Sequence, residues 1–305
     1  MYKAVGPAQH HPTNRTLRDF HTYWGENHGP LFANTKPLRR YVQHLTLPEA
    51  YGIDPKPTFD GVSMFWFEEL PAFSGGSDDP EVLELQRAVI SDDAQLFDRT
   101  LSWPTHHKQA NVTAEERVIL EGETKPEMVK AIFIVSKLPG LTLTEFSDHW
   151  QNEHGALVAR LPGLRRYVQN HAVPEAYVSG NQTHDGWSEL WFDDLGALHR
   201  AAQSPEWQAV QEDAANLFGD NVGVGVARER IQKEFDWTYR DWGVGAMDES
   251  QIRERLRDNR YTALAADPAA PAKLKAAAAK KALALWTDKH LVTVDESRID
   301  ARPDR

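Results

Sequence analysis

The spacing of hydrophobic and polar positions is most regular after residue 129, where it predicts alternating strands and helices. Residues 129–135 are rich in β-branched side chains and precede Pro139-Gly140, which predicts a buried strand followed by a turn. Thr142 and Glu145 form the capping-box pattern that starts a helix. The large side chains that follow have the spacing of an amphipathic helix. They are Phe146, Trp150, His154, Leu157 and Leu161.

Two more strands, a helix and a final strand complete this pattern. Residues 164–170 follow a Pro-Gly stop signal and residues 187–192 follow a turn-rich stretch at 179–181, so both are predicted as strands. Ser204 and Pro205 supply an N-cap and a first-turn proline for a helix, and residues 222–226 predict the last strand. The order β-α-β-β-α-β is that of a ferredoxin-like unit.

The same pattern occurs earlier in the chain, which indicates a tandem duplication. Residues 20–51 and 146–177 are identical at 16 of 32 positions, where unrelated chains would share about two. An Asp-Gly pair followed by an aromatic strand also recurs, at 60–67 and 185–192. We therefore predict a first repeat at 1–122, a second repeat at 123–234 and a C-terminal extension at 235–305.

Two parts of the chain depart from the repeat. The first strand of the first copy, near residues 4–11, contains Gly6 and Pro7, and a proline confines a strand to an edge or prevents it. The extension at 235–305 matches neither copy. Its aromatic start and its alanine-rich stretch near 271–286 predict a helical tail that packs over one or both repeats.

Composition excludes several classes of function. The 45 acidic and 34 basic residues give a net charge of −11 without a segregated basic run, so we expect no nucleic-acid partner. The chain has no cysteine, which excludes disulfides, thiolate metal sites and a cysteine nucleophile. No apolar run approaches the roughly 20 residues that span a bilayer, so we expect a cytoplasmic protein without a membrane partner.

Two histidines occupy the same place in both copies, within the pattern Trp-x-x-x-His-Gly. Helical spacing puts His28 and His154 on the inward-facing stripe of their helices. Each is either a core histidine with a satisfied ring or an acid–base group, since imidazole titrates near neutral pH.

The second strand of each copy carries a tyrosine, Tyr41 or Tyr167. Strand alternation puts Gln169 and His171 on the same face as Tyr167. If this face lines a cavity, it offers a phenol, an amide and an imidazole to a ligand. Otherwise the tyrosines are core-edge residues with satisfied hydroxyl groups.

The third strand of the second copy contains a carboxylate, Glu189, where the first copy has Met64. A carboxylate in so apolar a strand needs a partner, and we expect His154 or an arginine. A Glu–His pair would fix the tautomer of the imidazole and favour the second copy as the working one; a structural Glu–Arg pair is the alternative. We also expect substrate contacts from the nearby arginines and tryptophans. These are Arg165, Arg166, Trp187 and Trp191.

Other chemistry has little support. Adjacent histidines such as His10-His11 point to opposite faces of a strand and rarely chelate one ion. Neither Gly223-Val-Gly225 nor any other segment has the pattern of a phosphate loop or a serine elbow. We therefore expect neither a metal nor a cofactor.

Three motifs in order resemble the EthD-like family of the dimeric α+β barrel superfamily. They are Phe-x-x-x-Trp-x-x-x-His-Gly, Leu-Pro-Gly-Leu-Arg-Arg-Tyr-Val-Gln-Asn and Asp-Gly-x-x-Glu-Leu-Trp-Phe. The resemblance covers residues 130–230 well and 20–97 moderately. It implies an α+β fold in which the two tandem ferredoxin-like domains form one intramolecular barrel around a hydrophobic pocket. The isomerase-like members of the family place a helix histidine and a second-strand tyrosine there, which correspond to His154 and Tyr167, with His28 and Tyr41 as counterparts.

The resemblance also implies a class of chemistry. Relatives in this family resemble isomerases, dehydratases and proteins associated with ether degradation. We therefore expect a cofactor-independent lyase or isomerase that acts on an aromatic or polycyclic hydrophobic metabolite. His154 would move the proton, Glu189 would orient it, and Tyr167 would donate to a developing oxyanion. A cofactor-free or haem-dependent monooxygenase and a non-catalytic ligand-binding protein are the alternatives. One chain could suffice for the barrel, and a homodimer is also open.

Overall fold

The computed structural model describes residues 2–10, 16–34, 38–67, 80–97, 112–178, 184–219 and 223–234. The helical tail predicted at 235–305 and the turn predicted at 179–181 lie outside the described residues. None of the described helices is both long and apolar enough to cross a membrane.

Eight strands form one closed barrel. Their order around the barrel is β1-β3-β2-β8-β5-β7-β6-β4. The strands are β1 Tyr2–Ala8, β2 Arg40–Thr46, β3 Gly61–Phe67, β4 Val112–Leu120, β5 Val129–Val135, β6 Leu164–Ala172, β7 Gly186–Phe192 and β8 Gly223–Lys233. Each copy exchanges an edge strand with the other, because β4 pairs with β6 and β2 is the neighbour of β8. The two repeats are therefore the two halves of one α+β barrel, and the predicted fold is confirmed.

Helices connect the strands in both copies. In the first copy they are α1 Leu17–Tyr23, α2 Gly29–Phe32 and α3 Pro80–Leu96; in the second they are α4 Leu143–His149, α5 Gly155–Val158, α6 Pro174–Val178, α7 Leu195–Ala202 and α8 Pro205–Ala214. The predicted helix starts are confirmed, since Thr142 and Glu145 form a reciprocal capping box and Ser204 caps α8.

The chain divides into two compact units. One consists of residues 1–21, 42–73 and 94–230, and the other of 22–41, 74–93 and 231–305. The first unit contains most of the barrel and all helices of the second repeat, and the second contains residues 22–34 and most of α3. The repeat boundaries at 122 and 234 stay predictions.

The first strand is an interior strand in spite of its proline. β1 pairs with β3 from Tyr2 to Ala8, and it pairs with β4 only from Lys3 to Val5. Pro7 lies outside the part of β1 that pairs with β4. The missing N–H of the proline therefore removes no hydrogen bond to β4. The strand predicted near residues 4–11 is therefore present, and its proline does not confine it to an edge.

The two faces of β6 and β7 have different surroundings. Tyr167, Leu190 and Phe192 belong to an apolar core with side chains from α5, α7 and α8, so this face lies under the helices. Glu189 points the other way, because it bonds to Lys3 on β1, a strand that is not its neighbour in the barrel. Strand alternation thus separates a helix-covered layer from a charged barrel interior.

Candidate acid–base site

A rare helical geometry positions the histidine of each copy. Residues Trp24–His28 and Trp150–His154 are π-helical, with the N–H of the following glycine bonded to the carbonyl of the tryptophan five residues earlier. The predicted amphipathic helix is therefore interrupted at the same place in both repeats. Single π-helical turns are uncommon and are frequent at functional sites.

In the second copy the π turn presents His154 to a carboxylate on α8. Nδ1 of His154 lies 2.8 Å from Oδ2 of Asp213, and the imidazole is buried, with the ring of Phe218 edge-on at 5.1 Å. Burial lowers the pKa of His154 below its usual value, and the hydrogen bond to Asp213 only partly opposes this. His154 is therefore neutral near pH 7, with its proton on Nδ1 facing the carboxylate.

The other ring nitrogen of His154, Nε2, has no hydrogen-bond partner among the residues that the structure describes. The arrangement of a carboxylate on one nitrogen and a lone pair on the other is that of a general base whose tautomer is fixed.

The expected pair between His154 and Glu189 does not form. Glu189 lies in the barrel interior, whereas His154 belongs to the helix layer on the opposite side of the sheet, where Asp213 supplies the carboxylate. The partner prediction for His154 was wrong because it considered only residues near the matched motifs.

A signal for Asp213 was present in the sequence. The pattern Asp-x-Ala-x-Leu-Phe occurs at 92–97 and again at 213–218, which puts Asp92 and Asp213 at equivalent places. This duplication was missed because its offset of 121 differs from the 126 of the main repeat.

The first copy holds its histidine differently. Nδ1 of His28 lies 2.8 Å from Oδ2 of Asp92, as in the second copy, and the hydroxyl of Tyr23 donates to Oδ1 of Asp92 at 2.6 Å. Nε2 of His28 faces a second carboxylate, Asp93, at 3.4 Å. The residue equivalent to Asp93 in the second copy is Ala214. Both ring nitrogens of His28 thus face a carboxylate, whereas among the described residues only Nδ1 of His154 does.

The predicted polar face of β6 forms one hydrogen-bonded chain beside the π turn. Nε2 of Gln169 donates to the hydroxyl of Tyr167 and to the carbonyl of Trp150, each at 2.7 Å. Oε1 of Gln169 accepts from Nε2 of His171 at 2.9 Å, and Nδ1 of His171 accepts from Ser147. This face lies under the helices and not in the barrel interior. Its tyrosine counterpart in the first copy, Tyr41, is buried with its ring 5.2 Å from Phe32.

Burial sets the protonation of this chain. It raises the pKa of Tyr167 to about 12 and lowers the pKa of His171 to about 3. At neutral pH Tyr167 is therefore a phenol and His171 is uncharged. The structure brings Tyr167, Gln169 and His171 together, as the strand alternation predicted.

Glu189 is the centre of an ion network inside the barrel. Its carboxylate bonds to Lys3, to Lys130 at 2.6 Å, to Nδ2 of Asn170 at 2.9 Å and to Nε1 of Trp187 at 3.2 Å. Burial raises the pKa of Glu189, but the charges of Lys130 and Lys3 outweigh burial, so the pKa is lowered and the group is ionised.

The part of the network formed by the lysines repeats around the barrel. Lys3 lies over the ring of Trp66 at 4.8 Å and Lys130 lies over Trp191 at 4.0 Å, and each lysine also pairs with a carboxylate of its own copy. These carboxylates are Glu116 and Glu229. Glu189 itself does not repeat, since the first copy has Met64 there. Sequence reasoning missed the lysines because they lie outside the matched motifs.

The two arginines already have acidic partners. Arg165 makes an exposed bidentate pair with Asp193, and Arg166 lies 2.8 Å from Glu121. A substrate carboxylate would have to displace these partners.

The repeated Asp-Gly pair positions the π turn. A Cβ at Gly186 would lie 2.3 Å from the carbonyl of Asn170 and 2.6 Å from the ring of Trp150. Only glycine therefore allows Trp150 to pack against the start of β7, which explains part of the duplicated motif.

These observations define the class of the protein as a dimeric α+β barrel whose two ferredoxin-like halves are parts of one chain. The EthD domain family model matches residues 13–100 and 138–221, once in each half, and together these segments exceed half of the chain. The chain therefore belongs to the EthD domain family and contains a tandem duplication of that domain.

Comparison with curated proteins found no match. Among solved structures, an EthD family protein from Bacillus halodurans is 26% identical over 34% of this chain and 99% of that one, with a TM-score of 0.29. An anthrone oxidase-like protein is 12% identical, over 76% and 93%, with a TM-score of 0.43. A mutant chlorite dismutase from Candidatus Nitrospira defluvii is 11% identical, over 74% and 90%, with a TM-score of 0.39.

Proposed function

We propose that this protein is a cofactor-independent lyase or isomerase that uses His154 as its general acid–base group and Asp213 as the residue that orients it. The observation that carries this proposal is the difference between the copies: Nε2 of His154 is unoccupied among the described residues, whereas Nε2 of His28 faces Asp93. A base needs an available lone pair, so the second copy is the working one.

The roles follow from the hydrogen bonds. Asp213 accepts the Nδ1 proton, which leaves the lone pair of His154 on Nε2 and stabilises the imidazolium once Nε2 has taken a proton. Nε2 removes a proton from a carbon next to a carbonyl group. The imidazolium then returns the proton to another carbon in an isomerisation, or to a departing hydroxyl group in a dehydration.

Tyr167 would donate a hydrogen bond to the substrate oxygen that becomes negatively charged. Its raised pKa of about 12 keeps the phenol protonated, so it remains a donor for an enolate oxygen. The substrate would be an aromatic or polycyclic hydrophobic metabolite, because aromatic rings surround this part of the π turn. Phe218 lies 5.1 Å from His154 and 5.8 Å from Trp150.

The test starts from whatever small molecule copurifies with the protein. Mass spectrometry of the molecules released on denaturation identifies it, and its conversion is then followed by absorbance. His154→Ala should lower turnover by about 10² to 10⁴-fold, the usual effect of losing an acid–base group. His28→Ala is the matched control and should keep most of the activity.

Two results would contradict the proposal. Equal activity of wild type and His154→Ala would remove His154 from the mechanism. Consumption of dioxygen in step with substrate loss would instead indicate a monooxygenase.

A further inference from the structure

In each copy a second side chain bonds to the carboxylate that pairs with the histidine, and this second side chain differs between the copies. Oδ1 of Asp213 lies 2.9 Å from Nε2 of His149, and Oδ2 lies 2.8 Å from Nδ1 of His154. One carboxylate therefore bridges two imidazoles. The side chain of His149 is 29% exposed, that of Asp213 19% and that of His154 5%. The bridge therefore connects a solvent-exposed imidazole to a buried one.

The equivalent position in the first copy is a tyrosine. Tyr23 donates to Asp92 at 2.6 Å, which gives the same hydrogen bond without a group that titrates near neutral pH. The chain thus contains two versions of one arrangement, and only the version with the available Nε2 has a second histidine.

The ionisable groups around the bridge are few. Among the described residues, the ionisable groups that influence the pKa of His154 are Asp213 from α8 and His149 from α4. On the helix of His149 itself, Glu145 lies four residues earlier and accepts from Thr142 in the capping box, and Glu153 lies four residues later on the π turn. Asp213 is the group through which His149 reaches His154.

We propose that His149 sets the proton affinity of His154 through their shared carboxylate, so that the acid–base site responds to pH through a residue on the surface. When His149 is uncharged, the whole charge of Asp213 supports a proton on His154. When His149 gains a proton, its positive charge partly neutralises Asp213 and repels a second positive charge on His154. His149 is a positioning residue in this scheme and does not touch the substrate.

The proposal rests on the proposed function for its meaning but not for its test. The test is a pH titration of the histidine ring signals by NMR on the full chain, with the His154 signal assigned by its loss in His154→Ala. His149→Tyr places the residue of the first copy in the second, which keeps the hydrogen bond and removes the charge.

In His149→Tyr we expect the pKa of His154 to be higher than in the wild type by about half to one unit, the size of a charge effect over a few ångströms when water screens the two groups. A His154 titration that is the same in both proteins would overturn the proposal. If the tyrosine variant does not give the spectrum of a folded protein, His149→Gln, which also keeps a donor, supplies the same comparison.

The two proposals can fail separately. Loss of turnover in His154→Ala with an unchanged titration in His149→Tyr would keep the catalytic role and reject the coupling. A shifted titration with unchanged turnover in His154→Ala would keep the coupling and reject the catalytic role.

Discussion

Oε2 of Glu189 lies 2.6 Å from Nζ of Lys130 in the interior of the barrel, and both side chains are almost fully buried. Lys3 reaches the same carboxylate from β1, so Glu189 joins two lysines from opposite halves, each of which also pairs with a second carboxylate, Glu116 or Glu229. Because taking charges out of water is costly, such a network is stable only while every member keeps its partners.

Glu189→Gln should therefore destabilise the fold. The amide has almost the same shape as the carboxylate, but it leaves each buried ammonium group with one negative partner in place of two. We expect a loss of about 1.5 to 3 kcal/mol in the free energy of unfolding, the range for a hydrogen bond to a charged group, measured by urea denaturation.

The matched control for this change is the exposed pair of Arg165 and Asp193. Asp193→Asn should leave the free energy of unfolding almost unchanged, because a solvated ion pair contributes little. Equal stability of Glu189→Gln and wild type would show that the network does not hold the barrel together.

The stability of the fold should fall on mild acidification because of His171. Burial lowers the pKa of this ring from 6.5 to about 3 in the folded chain, so the unfolded chain binds a proton first as the pH falls. The contribution of His171 is fully present above about pH 6.5 and is lost progressively toward the folded value of about 3. Between pH 6.5 and pH 5 the loss should be about 2 kcal/mol.

Urea denaturation at these two pH values checks this expectation. His171→Gln keeps hydrogen-bonding capacity and removes the titration, so its stability should depend less on pH over this interval than that of the wild type. The same dependence in both proteins would assign the acid sensitivity to other groups.

Local patterns in the sequence predicted the architecture well, since turn signals, capping residues and alternation act within a few residues of one another. The resemblance to the EthD-like family then implied that the two copies are the halves of one barrel. The contacts of Glu189 could not be predicted in the same way. Its lysine partner on β1 is 186 residues away in the chain, and only the closure of the barrel brings the two together.

Only part of the site could be predicted, for a similar reason. Helical spacing correctly put His154 on an inward face, but the π turn and the carboxylate opposite it depend on tertiary packing. Asp213 is 59 residues from His154. Strand alternation did predict that Tyr167, Gln169 and His171 share a face, because alternation needs no knowledge of distant residues.

An exchange between the copies tests whether an available Nε2 is what makes the second copy active. Ala214→Asp introduces into α8 the carboxylate that faces Nε2 of His28 in the first copy at 3.4 Å. An imidazole held by carboxylates on both sides is stabilised in its protonated form, so it no longer acts as a base at neutral pH. We expect turnover to fall at least about 10²-fold, as for the loss of a general base, with the circular dichroism spectrum unchanged. The matched variant Asp93→Ala makes the reverse change in the first copy and should leave the activity of His154 intact. Full activity of Ala214→Asp in a folded protein would mean that Nε2 of His154 takes no part in the reaction.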